Sequence, residues 1–327
     1  MNKKLAFTSI IFLTVFNIST LASECGVKRP SVELSDQVKE VANFTRNASN
    51  KLVNEGDGTL YIRDLNVLKK TDTRKVKTSK DSHLDAVGKL FITFEDGSIG
   101  ECSSGLISNK PGKSSDFVLT ADHCFTNKGK KVQSIQWVTK LANGKLIERN
   151  ANIVRTSGES DITILKLDNK VSFNEVKPFL ILDDLYIDYD EFSYYASKTF
   201  VAGYSADSIK GRNGRALTYT ELKGNDQSIR YDYINPYLDA TSYQGASGGV
   251  IVSNADLSEE EIENPYNQLY FVGTVTHVIS LDDKTGKNGK IQSVYYQSDN
   301  VAGSNKTAMT PYEEYFKELQ LDYYLNK

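Results

Sequence analysis

From Val87 onward the chain reads as strands: short apolar runs, several alternating with polar positions, separated by turn-forming residues. Lys89-Leu-Phe-Ile-Thr-Phe94 runs into Glu95-Asp96-Gly97, a hairpin signal. Gly105–Ser108, Phe117–Thr120, Ser134–Val138, Ala151–Val154 and Ile162–Leu165 continue the series. Six short strands with regular turn punctuation predict a barrel. Leu180 to Phe192, rich in Asp and Tyr, reads as a linker. A second series follows through Thr199–Gly203, Ala216–Tyr219, Ser228–Tyr231, Gly249–Val252, Leu269–Val272 and Ile291–Tyr295. Helical signals are fewer. Leu257 to Asn264 reads as an inserted turn of helix, with Ser258 capping and Glu261 closing the box. Thr310-Pro311-Tyr312-Glu313 has the same capping logic with proline at the first helical position, and predicts a C-terminal helix over about 310–321. Within residues 32–50, Val32, Leu34, Val38, Val41 and Phe44 fall on one side of a helix.

The first residues have a different pattern. Lys3 and Lys4 precede an apolar run from Leu5 to Phe16, too short to span a bilayer comfortably, and Thr20-Leu-Ala22 or Leu21-Ala-Ser23 would suit a signal peptidase. Residues 1–22 therefore read as a signal peptide, with a short membrane anchor as the alternative. Cys25 follows Glu24, where a lipoprotein site needs a small residue. Export places the protein outside the cytoplasm, secreted or periplasmic, where disulfides persist. Residues 23–82 form a separate region containing the basic run Lys69-Lys-Thr-Asp-Thr-Arg-Lys-Val-Lys77, which reads as solvent-exposed. The region is either an extension packed on the strand-rich remainder of the chain or a propeptide cut near that run. Asn43, Asn47 and Asn305 fit the glycosylation pattern, which matters only in a source that glycosylates.

Composition narrows the class. The chain has 327 residues, enough for one large core or two modest ones, with 39% hydrophobic and 25% charged residues. A formal charge of −3 leaves no basic footprint for nucleic acid. Nineteen tyrosines and only six prolines suit an all-β protein. Three cysteines cannot all pair within one chain.

Three stretches carry chemistry. In Tyr243-Gln-Gly-Ala-Ser-Gly-Gly-Val250, Gly245 lets the chain turn so that its N–H and that of Ser247 can point at one spot, while Gly248 and Gly249 leave room for a substrate against the main chain. Two converging N–H groups beside a hydroxyl form an oxyanion hole next to a nucleophile. Val118-Leu-Thr-Ala-Asp-His-Cys124 ends an apolar run in a histidine, and Ser160-Asp-Ile-Thr-Ile-Leu-Lys-Leu167 opens an alternating strand with an aspartate. The order is His, Asp, Ser, one of the orders in which a hydrolytic triad occurs. Here the sequence resembles the trypsin-like (chymotrypsin-fold) serine proteases over about its last three quarters: Thr-Ala-Asp-His-Cys124, Asp161-Ile-Thr-Ile-Leu-Lys-Leu and Gln244-Gly-Ala-Ser-Gly-Gly each resemble a family motif.

The resemblance implies an all-β fold of two packed antiparallel six-stranded barrels, about 87–180 and 195–300, with a C-terminal helix, in a protease domain spanning 83–327. The site would lie in the cleft between the barrels. Ser247 would be the nucleophile, His123 its general base, Asp161 the group that orients and stabilises the imidazole, and the N–H groups of Gly245 and Ser247 the oxyanion hole. Cys102 and Cys124 match the positions of a family disulfide. The substrate would be a protein or peptide; the chemistry needs no metal and no cofactor, and no nucleic acid or stable membrane span after signal removal is implied.

Local alternatives remain. Asp168 could serve in a mis-registered alignment, although the alternating strand favours Asp161. Asp122 adjoins His123, but neighbouring side chains on extended backbone point apart. His83 reads as a surface residue. The chain also departs from the family: Ala246 stands where an aspartate usually receives the new N-terminus at zymogen activation, and Asp85-Ala-Val-Gly88 replaces a clean Ile-Val-Gly-Gly start. Bacterial glutamyl endopeptidases also lack that aspartate. Thr241 occupies the position at the base of the first specificity pocket and supplies no carboxylate; Ser242 matches a hydroxyl position of the glutamyl branch. His277, beside Thr276, lies two residues beyond the branch's histidine position, yet residues two apart on a strand share a face. These residues point to an acidic side chain before the cut, with a basic pocket built on Asp239 as the rival. A catalytically inactive binding protein of the same fold is the non-enzymatic alternative. A serine esterase is disfavoured, since its nucleophile elbow joins a strand to a helix and its order is Ser, Asp, His.

Overall fold

The computed structural model describes residues 72–126, 129–181, 198–207, 210–223, 240–254, 264–278 and 307–326, together with the short strands at 52–54, 60–62, 230–231, 236–238, 295–298 and 301–304. The expected signal peptide, the helical pattern of 32–50, the inserted turn expected from Leu257, Cys25 and Asp239 lie outside the described residues.

In chain order the strands are β1 (Leu52–Asn54), β2 (Leu60–Ile62), β3 (Lys75–Val76), β4 (Val87–Phe94), β5 (Ile99–Ser108), β6 (Ser115–Thr120), β7 (Val132–Lys140), β8 (Leu146–Ser157), β9 (Ile162–Val171) and β10 (Phe179–Leu180). They continue as β11 (Thr199–Tyr204), β12 (Leu217–Leu222), β13 (Arg230–Tyr231), β14 (Pro236–Leu238), β15 (Ser242–Tyr243), β16 (Val250–Ser253), β17 (Tyr270–Val278), β18 (Tyr295–Ser298), β19 (Val301–Ser304) and β20 (Thr307–Pro311). Two short helices follow, α1 (Glu313–Lys317) and α2 (Leu321–Leu325). The fold is all-β.

Strands β4 to β9 close a barrel. Going round it, β5 pairs with β4, β4 with β7, β7 with β8, β8 with β9, β9 with β6, and β6 returns to β5, every pair antiparallel. Closure leaves no free edge. Trp137, fully buried in β7, lies against Gly88, where a β-carbon would sit 1.9 Å from the indole nitrogen. The second half runs β3-β12-β11-β16-β17-β20-β14-β13, again antiparallel, and β1, β2, β15, β18 and β19 form a smaller sheet. This arrangement is consistent with the two-barrel fold.

Strand contacts help join the halves. Gly105 of β5 faces Val250 of β16 so closely that a β-carbon would come within 2.4 Å of its methyl group. Strand β10 pairs parallel with β5 on one side and β17 on the other. Leu180, expected at the start of a linker, is therefore a buried strand residue, held by neighbours on both sides.

Three further expectations are corrected. Thr310 and Pro311 end strand β20 and do not cap a helix; the Thr310 hydroxyl donates to Ser160 O at 2.9 Å, and the single expected helix is two, interrupted at Gln320 (φ 53°). His83 is half-buried, its ring 4.8 Å from that of Phe200. Within the basic run Arg74 is only 3% exposed, because Asp72 and Asp207 flank its guanidinium.

Tyr315 of α1 fastens the C-terminal region to both halves. Its hydroxyl donates to Thr120 O (2.9 Å) at the end of β6 and lies 2.7 Å from Thr274 Oγ1 in β17. Burial, together with the nearby Asp161 carboxylate, pushes the phenol far above its ordinary pKa, so it remains a neutral donor. Tyr315→Phe strands a buried carbonyl, and we expect a loss of about 1–3 kcal/mol. Urea unfolding should show a lower midpoint with an unchanged slope.

Candidate active site

His123 lies in a single 3-10 turn, Asp122–Cys124, directly after β6. Asp161 precedes β9, which pairs with β6, so the register Thr120↔Thr163 brings the two ends together. The Asp161 carboxylate receives the His123 backbone N–H on Oδ1 (2.8 Å) and faces Nδ1 from both oxygens, at 2.8 and 3.0 Å. A carboxylate only accepts, so Nδ1 carries the proton and Nε2 is the basic nitrogen. Asp161 has φ 54°, a strained conformation for a non-glycine residue of the kind that persists where the surroundings over-determine it. The surroundings include the Thr310 hydroxyl on Ser160 O and the Ser157 hydroxyl, which donates to Glu318 at 2.6 Å.

The neighbours of His123 are also fixed. Cys124 is joined to Cys102 of β5 in a disulfide closing a separation of 22 residues, a loop whose closure stabilises by about 3 kcal/mol in the chain-entropy model. The Asp122 carboxylate accepts the hydroxyls of Thr156 and Thr163, on β8 and β9, and ties the turn to those strands.

Ser247 sits in the turn between β15 and β16. Gly245 (φ 89°) and Gly248 (φ 77°) take left-handed conformations that side chains rarely adopt. The N–H groups of Ala246, Gly248 and Gly249 donate to Tyr243 O, Val275 O and Ala246 O. Those of Gly245 and Ser247 donate to no backbone carbonyl among the described residues. The Ser103 hydroxyl donates to Gly245 O (2.8 Å) and accepts the Tyr204 N–H (2.7 Å), and Ser103 N–H donates to Ser247 O (2.8 Å). Ser103 thus fixes the turn from the first barrel; nothing in the sequence beyond its place after Cys102 singles it out.

Gly248 brings the two walls together. A β-carbon there would lie 2.0 Å from Thr120 Oγ1, 2.2 Å from Ser103 O and 3.1 Å from Ala121 N. Ser247 therefore borders the backbone that leads into His123. No hydrogen bond joins Ser247 Oγ to His123 among the described contacts, and in unliganded sites such bonds commonly tighten only with substrate present.

The other candidates divide. Thr241 and Ser242 are buried, and with Arg74, Ser205 and Ala246 they border a cavity of about 10 Å³, the size of one water. Ser242 Oγ lies 2.8 Å from Thr307 Oγ1, which also reaches Ala240 O. The Thr276 hydroxyl is buried without a hydrogen-bond partner among the described residues. His277 belongs to β17, but its side chain lies outside the described residues. No group of three metal-ligating side chains, and no helix long and apolar enough to cross a membrane, occurs among the described residues.

Gly248→Ala should separate the walls. We expect a loss of about 1–3 kcal/mol from overpacking, read as a lower denaturation midpoint for the variant than for the wild-type chain.

A family model described as lysyl endopeptidase, C-terminal domain, matches residues 69–181. No curated protein matches the chain. Among solved structures, protease Anisep from Arthrobacter nicotinovorans is similar at 13% identity, covering 73% of this chain and 93% of its own, with a TM-score of 0.45. A Glu endopeptidase is similar at 16% identity, over 78% and 98% of the two chains, with a TM-score of 0.44. A thermostable serine protease from an extremophilic microorganism gives 16%, 68%, 91% and 0.43. Over residues 69–181 the chain is thus similar to the lysyl endopeptidase C-terminal domain.

Proposed function

We propose that the chain is an exported serine endopeptidase working through Ser247, His123 and Asp161. What supports this most is one observation: the imidazole is paired through Nδ1 with Asp161, while the close approach at Gly248 brings the Ser247 turn against the same stretch of backbone. In this reading His123 Nε2 takes the hydroxyl proton as Ser247 Oγ attacks the peptide carbonyl. Asp161 stabilises the imidazolium and keeps its tautomer. The N–H groups of Gly245 and Ser247 receive the oxyanion, each such donor being worth about 3 kcal/mol in the transition state. His123 then gives its proton to the departing amine, and a water, deprotonated by the same nitrogen, releases the acyl group.

The matched family model ends at residue 181, before Ser247 and the residues expected to read the substrate. It therefore covers the imidazole and carboxylate but not the pocket, and the lysine preference in its name does not carry over. In this reading Thr241, Ser242, Thr276 and His277 favour a polar or acidic side chain before the cut, glutamate first, and substrate must open the buried surroundings of the three hydroxyls to reach them. The rival is a basic pocket built on Asp239.

Ser247→Ala and His123→Ala should each lower kcat by about ten-thousandfold or more with folding retained. A fluorophosphonate should label the wild-type chain at Ser247. Undiminished turnover by Ser247→Ala would remove the assignment, and a folded wild-type chain that binds peptides but neither cleaves them nor takes the label would be a binding protein.

Matched peptides differing only at the residue before the cut test the pocket. We expect faster cleavage after Glu than after Arg or Lys, and a selective loss of the Glu activity in His277→Ala. Strong Lys or Arg preference, abolished by Asp239→Ala, would establish the rival.

A further inference from the structure

Ala246 has no carboxylate with which to anchor the Ser247 turn, and the structure has an ion cluster beside it. Arg74 forms a forked pair with Asp72, Nε to Oδ1 at 3.0 Å and Nη2 to Oδ2 at 2.7 Å. Its remaining nitrogen, Nη1, donates to Asp207 Oδ1 at 2.7 Å. Asp207 is fully buried, and its other oxygen accepts the N–H groups of Lys210 (2.9 Å) and Gly211 (3.0 Å). Lys210 Nζ returns to the carbonyls of Asp72 and Arg74 at 2.5 and 2.6 Å. Two cations and two anions balance, and every charge has a partner, the condition under which buried ions are tolerated. Burial opposes the ionisation of Asp207, but Arg74 and the two amides hold its carboxyl below the ordinary range.

The cluster touches the Ser247 turn twice. The Arg74 guanidinium lies over the Tyr243 ring, 4.1 Å from its centroid, four residues before Ser247. On the other side, Ala206, next to Asp207, donates its N–H to Gln244 O at 2.7 Å, and the backbone of Tyr204 and Ala206 crowds Gly245, where a β-carbon would meet Tyr204 O at 2.8 Å. Arg74 and Ala246 border the same water-sized cavity. The segment that delivers Arg74 is fixed by β3, whose Lys75 and Val76 pair with Tyr219 and Thr218 of β12.

We propose that Arg74 is a positioning residue for the oxyanion donors: its ion pairs with Asp72 and Asp207 clamp the turn from Tyr243 to Ser247, so that the active enzyme keeps the segment from Asp72 to Val76. The proposal rests on reading Ser247 as the nucleophile. It also limits processing. A cut just before Asp72 leaves the clamp whole, whereas a cut after Lys77 removes it, although both fall within or at the edge of the same basic run.

The test uses the full chain as produced. The fluorophosphonate-labelled species is isolated and its first residue determined by mass spectrometry; it should begin at or before Asp72, and a labelled chain beginning beyond Arg74 would overturn the clamp. In parallel, Arg74→Ala and the milder Asp207→Asn are compared with wild type, with folding checked by circular dichroism. Folded variants should lose tenfold or more in kcat and in labelling rate with KM changed less than threefold, and Arg74→Lys, which keeps the charge but not the fork, should restore little. A loss confined to stability, with labelling rate per folded molecule unchanged, would overturn the proposal. If Arg74→Ala does not fold, Asp207→Asn and the N-terminal determination decide. A wild-type chain that takes no label at Ser247 would remove the protease reading itself, an outcome distinct from full reactivity in the variants, which would remove only the clamp.

Discussion

Gly248 has backbone of the first barrel where a β-carbon would go. The oxygens of Ser103 and Thr120 lie 2.2 and 2.0 Å from that point, and the residue's φ of 77° would itself strain a side chain. The arrangement of the site follows from this contact. Ser103 N–H can reach Ser247 O only because nothing stands between the strands, and the same approach sets the serine beside the backbone entering His123. The close approach between the halves continues at Gly105, which packs against Val250.

Around that contact, each polar group is held by one from elsewhere in the fold. Asp161 orients His123 through the ring nitrogen and also accepts the His123 main-chain N–H, so the carboxylate is held in place and rotating the imidazole breaks the ring bond. Asp122 accepts two threonine hydroxyls from β8 and β9, and the disulfide ties Cys124 to β5. Pre-organisation of this kind matters because donors already aimed at a developing charge need no reorganisation when it appears.

The site is legible in the sequence where chemistry dictates residue type and local backbone together. His123 and Asp161 sit at the ends of short runs whose apolar pattern announces β6 and β9, and Ser247 sits in a glycine-rich turn that the sequence shows directly. Arg74 is not legible. In a run of lysines it looks like any solvated cation, because one of its partners is 133 residues away. His83 looks like a surface residue for the same reason, as Phe200 and Tyr219 reach it from distant strands. Pro311 satisfies a local capping rule, but β20 pairs with β17 and draws it into the sheet. Leu180 belongs to a strand of two residues, shorter than any periodicity can detect.

The bond from Tyr315 to Thr120 spans 195 positions, and those from Thr310 to Ser160 and Glu318 to Ser157 span 150 and 161. Contacts so distant in sequence form late, since a long loop must close before any of them can be made. During synthesis the chain therefore carries its histidine, aspartate and serine well before it carries the residues that hold two of them in place. A ribosome-bound chain lacking α1 would hold His123, Asp161 and Ser247 on an unbraced frame, and their mutual geometry would be set only with the final segments of the sheet and helices, long after the three residues have been made.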